Sequence, residues 1–133
     1  MTNWTIDELN KIGNAEELKI ASRHTDGVLR KQVIIWVVRL EDDLYVRSVN
    51  GRTSWWFTGV QSCHQGRIQA GGVVKDVNFV EVNELIDAID AVYRKKYSRY
   101  AVSIINRITS VDARNATIKL VADLTNSIVK KAI

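Results

Sequence analysis

The spacing of hydrophobic and polar positions changes several times along the chain, and each change marks an element. From Val33 to Val38 six apolar residues follow one another, all β-branched apart from Trp36. Such a run predicts a strand covered on both faces. Glu41-Asp42-Asp43 turns the chain, and Leu44-Tyr45-Val46-Arg47-Ser48-Val49 reads as the antiparallel return. Upstream, Leu18, Ile20 and Ser22 alternate with Lys19, Ala21 and Arg23, which predicts a strand over 17–23. Thr25-Asp26-Gly27 closes a turn after it, because Gly27 can accept a positive φ. These three strands read as an antiparallel meander.

Helical signals flank them. Thr5-Ile6-Asp7-Glu8 is a capping-box pattern opening a first helix, and Gly13-Asn14 supplies its stop. Gly51-Arg52 ends the third strand, and Thr53 or Ser54 is placed to cap a short helix running through Cys63. Arg67–Ala70 and Val73–Val82 read as two strands around the Gly71-Gly72 turn. Asn83 is the expected cap of a helix with Leu85, Ile86, Ile89, Val92, Tyr93 and Tyr97 along one stripe. A short helix carries Val102, Ile105 and Ile108. Thr117–Val121 alternates as a last strand, and the polar tail from Thr125 is expected to be less ordered. The class is α+β, with about six antiparallel strands and peripheral helices. A closed or partly closed barrel is the economical arrangement, since closure removes exposed edges. There is no repeat, low-complexity run or Gly/Ser linker, so residues 1–133 read as one domain.

Composition narrows the class of protein. A chain of 133 residues can bury a real core without covalent staples. The single Cys63 leaves no internal disulfide and fits a reducing compartment. No run approaches the ~18 consecutive apolar residues of a membrane span. The start lacks a charged segment followed by an apolar one, so the expected location is the cytoplasm. The net charge of +4 is uneven: residues 76–90 are acidic, while basic side chains gather at Arg23–Lys31, Arg47–Arg52 and Arg94–Arg99. Such clusters suit phosphate, on a nucleotide cofactor or on nucleic acid.

The strongest candidate for chemistry is the segment Arg47-Ser48-Val49-Asn50-Gly51-Arg52-Thr53-Ser54. A phosphate needs several donors converging with positive charge and close backbone approach. The arginines and hydroxyls supply the donors, Gly51 the close approach, and a helix starting here would add free N–H groups. The strand led by Arg30 offers an apolar slab through Val33, Ile34, Ile35 and Trp36, of the kind a planar ring needs on one face. Trp55-Trp56-Phe57 project about 100° apart on a helix. One small core cannot bury all three, so at least one of them is expected to face a ligand or a second subunit. Tyr93-Arg94-Lys95-Lys96-Tyr97-Ser98-Arg99-Tyr100 mixes rings and cations, as nucleic-acid surfaces do. Yet Tyr93 and Tyr97 continue a helical stripe, and the basic residues complement a helix end. Cys63-His64 and His24 build neither a zinc site nor a nucleophile–base pair, and no P-loop, paired-carboxylate or nucleophile-elbow motif occurs. Catalysis by this chain would therefore have to come mainly from a bound cofactor.

The run Gly27-Val28-Leu29-Arg30-Lys31-Gln32 into Val33–Val38, then Asp43–Arg52 and Trp55-Trp56, resembles the bacterial family of unknown function DUF2255. The resemblance extends from Trp4-Thr5 through Tyr93–Tyr97 to Leu120. Over the central half the chain is more distantly similar to the FMN-binding split barrels, which include pyridoxamine-phosphate oxidase-like proteins and deazaflavin-dependent nitroreductases. It departs from them at Lys31-Gln32, where related sequences usually place a proline. The resemblance implies a split β-barrel and a homodimer with a flavin nucleotide, FMN or deazaflavin, between subunits. It also implies a phosphate held by basic and hydroxyl side chains after the third strand, and oxidation or reduction of a small molecule. Carried onto this chain, the cofactor-binding residues are Arg30, Val33, Ile34, Trp36, Arg47, Ser48, Asn50, Gly51, Arg52, Thr53, Ser54 and Trp55. Some members of that group have lost their cofactor, so a cofactor-less binding protein is the alternative; nucleic-acid binding through residues 93–100 is the third reading.

Overall fold

The computed structural model describes residues 3–124, and the tail expected from Thr125 lies outside them. Thr5 opens helix α1 (Ile6–Gly13): its Oγ1 accepts the Glu8 N–H at 3.1 Å, and Glu8 Oε1 accepts the Thr5 N–H at 3.0 Å. This reciprocal pair satisfies two donors that a helix start leaves open. The helix lays Leu9 and Ile12, both fully buried, onto the sheet.

Seven strands follow: β1 (Leu18–Ser22), β2 (Val33–Ile35), β3 (Val38–Leu40), β4 (Asp43–Arg47), β5 (Gln65–Ala70), β6 (Val73–Glu81) and β7 (Thr117–Ala122). They form one antiparallel sheet in the order β2-β1-β5-β6-β7-β4-β3. β2 and β3 thus stand at opposite edges, yet Ile35 and Val38 are joined through only Trp36 and Val37. Three residues span at most about 11 Å. The two edges must therefore lie side by side, and the sheet rolls into a barrel that is split at the Trp36-Val37 bend.

That closure corrects two expectations. The run Val33–Val38 is not one strand: β2 pairs with β1 (Leu18 opposite Ile35, Ile20 opposite Val33), whereas β3 pairs with β4 (Val38 opposite Tyr45). One straight strand cannot serve partners on opposite edges, so the chain bends between them. Nor is the run covered on both faces, since Ile34 is 57% exposed. The expected meander keeps its two antiparallel pairings, β1 with β2 and β3 with β4, but its middle run is divided between opposite edges, with β5, β6 and β7 filling the sheet between β1 and β4.

The barrel interior holds Leu18, Ile20, Leu44, Val46, Ile68, Val77, Phe79, Ile118 and Leu120. Each such aliphatic or aromatic side chain stabilises by about 1.5–3 kcal/mol on full burial. Trp4 joins this cluster, and its Nε1 donates to the Leu120 carbonyl at 2.9 Å. Gly66 on β5 lets the strands approach: a Cβ there would stand 2.1 Å from the Ala21 carbonyl oxygen. Helix α2 (Trp55–Cys63) covers one end of the barrel with Trp56, Phe57 and Val60.

Helix α3 (Ile86–Lys96) packs outside the sheet, placing Ile89 and Tyr93, with Tyr97 just after the helix, against Val38 and Tyr45. Its stripe is as expected from Ile86 onward, but its start is not. Leu85, with φ +60°, precedes the first helical residue and accepts the Ile89 N–H at 2.9 Å, so Asn83 is not the cap. Leu85 is 56% exposed and takes no part in the buried stripe. Helices α4 (Val102–Ile108) and α5 (Val111–Arg114) lead into β7. Among the described residues no helix is long and apolar enough to cross a membrane.

Candidate functional site

The expected phosphate loop divides into two parts. Arg47, at the end of β4, points into the protein, with its side chain fully buried and ion-paired with Asp90 of α3. Its Nε donates to Thr117 Oγ1 at 3.0 Å, Nη1 to the Ile108 carbonyl at 3.1 Å, and Nη2 to the Ile86 carbonyl at 3.2 Å. The Tyr93 ring lies 5.3 Å from the guanidinium carbon. A buried guanidinium costs several kcal/mol to desolvate unless it is paired and hydrogen-bonded, and here every one of its nitrogens is engaged. Arg47 therefore ties β4, α3, α4 and β7 together instead of offering donors to a phosphate.

Beyond it, Ser48 is buried, and its Oγ lies 2.7 Å from Ser54 Oγ. The Gly51 N–H donates to the Ser48 carbonyl at 3.0 Å, and Gly51 holds φ +83° with a Cβ position 3.1 Å from Asp112 Cβ. Glycine is needed at this position for its conformation and for its contact with α5. Arg52 turns to the other side: Nη1 donates to Glu81 Oε1 at 2.7 Å and to the Asn115 carbonyl at 2.9 Å. It borders an open cavity of about 690 Å³ with Arg114, Val111 and Asn83. There each arginine meets a carboxylate, Arg52 with Glu81 and Arg114 with Asp87 and Asp90. Size alone does not make this groove the site, since its cations are already matched. Thr53 is exposed, and Ser54 precedes α2 without its side chain capping the helix.

The apolar slab is built around a smaller cavity, of about 260 Å³. Ile34, Ile35 and Trp36 from the β2 edge form one wall, Trp56 of α2 another, and Val49 with Ile104, Arg107 and Ile108 of α4 the rest; Arg47 reaches it from beneath. Trp36 is fixed from behind by Tyr97, its ring stacked with centroids 3.8 Å apart and planes 3° from parallel. Tyr97 Oη in turn accepts the Val37 N–H at 3.3 Å and lies 2.9 Å from the Glu16 carbonyl, bracing the bend. At the rim, Arg107 Nη2 donates to Asn50 Oδ1 at 3.1 Å.

Of the residues singled out in the sequence, Ile34, Ile35, Trp36, Arg47, Val49 and Trp56 meet at this cavity, and Asn50 reaches its rim through Arg107. Val33 packs instead against the barrel core. Arg30 lies half-buried across α2, where Gly59 makes room for it; a Cβ at Gly59 would stand 3.1 Å from Arg30 Cδ and Nε. Arg30 Nη2 reaches Ser62 Oγ at 3.4 Å, and its Nε is enclosed without a hydrogen-bond partner. Gly59 is one helical turn from Trp56, so Arg30 flanks the cavity along α2. The aromatic run divides as its geometry required: Phe57 and Trp56 are buried, while Trp55 is 55% exposed. The α4 residues were missed, because Ile104 and Arg107 come from a helix whose facing depends on how it docks. In the segment 93–100 Tyr93 and Tyr97 are buried, Lys96 Nζ donates to the Ala15 and Val37 carbonyls at 2.6 Å, and Arg99 pairs with Glu16. These groups are turned inward or matched, while Arg94 and Lys95 of the same segment stay exposed.

A family model described as an uncharacterized protein conserved in bacteria, DUF2255, matches residues 8–120. The chain belongs to this family. No curated protein matches it. Among solved structures, a conserved hypothetical protein from Mycobacterium tuberculosis superposes with a TM-score of 0.59 at 11% identity, covering 91% of this chain and 82% of that one. A structure titled "F420 Reductase" gives 0.55 at 9% identity, over 86% and 90% of the two chains. A protein from Mesorhizobium loti titled FAD-binding gives 0.50 at 17% identity, over 90% and 91%. At these identities the likeness shows the fold. This DUF2255 chain shares the split-barrel architecture, with seven strands among the described residues where about six were expected.

Proposed function

We propose that this DUF2255 protein binds a flavin-type nucleotide, FMN or a deazaflavin, and works as a homodimer in the oxidation or reduction of a small molecule. The observation that carries the reading is the cavity walled by Ile34, Ile35, Trp36 and Trp56, with Arg47 at its floor and Arg107 at its rim. Flat apolar walls with a few polar groups at their edges are what a tricyclic ring requires. The titles of two structural neighbours, a reductase and an FAD-binding protein, support the same reading. At about 260 Å³ the cavity is smaller than most ligand sites, which run from about 300 Å³ upward. Ile34, Val49 and Ile104 continue its wall outward and are exposed, so a second subunit would complete the cover.

The residues present fit such a group in its ring and its charge. Ile34 and Trp36 would lie against the ring, Trp56 would exclude water from one side, and the enclosed Nε of Arg30 is a donor in want of an acceptor. A bound flavin supplies the hydride or electron transfer, and the chain orients it. Titration with FMN, FAD and deazaflavin, followed by tryptophan fluorescence and sedimentation, tests the reading. Binding with about micromolar Kd, together with a dimer, is expected; indifference to all three flavins overturns it. One observation favours the alternative of a barrel without cofactor: Arg47 and Arg52, the two cations of the polar loop, are both matched by carboxylates.

A further inference from the structure

Two cationic side chains border the apolar cavity, and their surroundings differ. Arg47 is buried, matched by Asp90, and has all three nitrogens engaged by the protein. Arg107 of α4 is exposed at the rim, and its partner is a neutral one, the Asn50 amide oxygen at 3.1 Å. Among the described residues no carboxylate pairs with it. A guanidinium carries five donors in a planar fork and matches phosphate or carboxylate bidentately. Asn50 takes one of these donors, which holds the fork against the loop at residues 48–54 and leaves the remainder for a ligand. Of the two cations that line the cavity, Arg47 has its charge cancelled from within and Arg107 does not; Arg30, which also lacks a carboxylate partner, stands outside the lining, across α2.

We propose that Arg107 is the anion-anchoring residue of this cavity, and that the site takes a planar apolar ring bearing an acid group. If the ring is a flavin, which rests on the reading above, the acid is the phosphate of its side chain. That phosphate is then held by Arg107, with Asn50 as its positioning residue, and not by Arg47 or Arg52. Ile34, Trp36 and Trp56 select for the flat ring, and Arg107 selects for the charge.

The test compares ligand pairs that differ only in the acid group. FMN and riboflavin form one pair; anilinonaphthalene sulfonate and the uncharged phenylnaphthylamine form the other. Wild-type protein is expected to prefer each anion by about tenfold or more, as one charge-assisted bidentate contact provides. Arg107→Gln is expected to lose most of that preference while keeping its affinity for the uncharged partners, and Arg107→Lys to keep part of it. Because Arg107 is exposed, the thermal midpoint serves as a check that the variant is folded. If Arg107→Gln keeps the anion preference, the anchoring role is overturned, even where flavin binds. If flavins fail to bind but the sulfonate binds in an Arg107-dependent way, the cofactor reading fails and the anchor stands. If wild-type protein shows no anion preference in either pair, the anchoring role is overturned, and the cofactor reading stands or falls on whether the flavins bind at all.

Discussion

Trp36 and Tyr97 stack face to face, 3.8 Å between ring centroids, and join the split of the barrel to the end of α3. The contact sets one wall of the apolar cavity from behind. Tyr97 is fully buried, and its hydroxyl takes the Val37 N–H where the strand bends away from both β2 and β3. Tyr97→Phe keeps the stack and removes that acceptor, so a fall of about 1–2 kcal/mol in unfolding free energy is expected with ring geometry retained. Tyr97→Ala removes the stack as well and is expected to cost about 3–5 kcal/mol. Urea denaturation separates the two; equal losses would contradict the division of labour between ring and hydroxyl.

The Arg47–Asp90 pair predicts a structural phenotype. Asp90→Ala leaves a buried guanidinium without its counter-charge and is expected to destabilise by about 3–5 kcal/mol. Replacing both, as Arg47→Met with Asp90→Leu, is expected to recover much of that loss, since apolar groups of similar volume avoid desolvation altogether. A double-mutant cycle measured by thermal or urea unfolding reads the coupling. Independent, additive losses would show that the pair does not act as a unit.

Lys96 predicts a pH dependence. Burial pushes its ammonium down to about 8 from an ordinary 10.5. Below about 8 the folded and unfolded chains both carry the proton. Between about 8 and 10.5 the unfolded chain keeps a proton that the folded chain has released, so stability attributable to Lys96 rises with pH. Burial also holds the Tyr97 phenol above its ordinary 10.0, which acts in the opposite sense above that pH. The clean window is therefore about pH 8 to 10. Across it, the urea midpoint of wild type measured against that of Lys96→Met is expected to climb; a flat difference would contradict the burial of the ammonium.

Two glycines of one hairpin separate close approach from backbone conformation. A Cβ at Gly66 would stand 2.1 Å from the Ala21 carbonyl, on backbone that cannot move without parting β1 from β5. Gly66→Ala is expected to cost about 3 kcal/mol or more. Gly72, at φ +82°, has nothing within 4 Å of its Cβ position, so Gly72→Ala carries only the conformational cost, about 1–2 kcal/mol. Thermal unfolding of the two variants orders them; a larger loss at Gly72 would reverse the assignment.

Local order was legible from the chain alone. The Thr5–Glu8 capping box, the Gly27 turn, the β5–β6 hairpin around Gly71-Gly72 and the stripe of α3 depend on neighbours a few residues away, and each is where its pattern placed it. The family, too, is legible in the run Gly27–Val38, the segment Asp43–Arg52 and Trp55-Trp56. Three other matters depend on partners distant in sequence. The apolar run Val33–Val38 breaks in two because its halves pair with β1 and β4, on opposite edges of a closing sheet. Arg47 looked like a phosphate donor beside Ser48 and Gly51, until Asp90, 43 residues further on, claimed its charge. Arg107 belongs to the short helix carrying Val102, Ile105 and Ile108, and only docking sets it beside Asn50, 57 residues earlier. Periodicity and capping are properties of a segment and can be read along it. Which cation is matched and which is left for a ligand is a property of charges brought together by folding, and only the tertiary structure decides it.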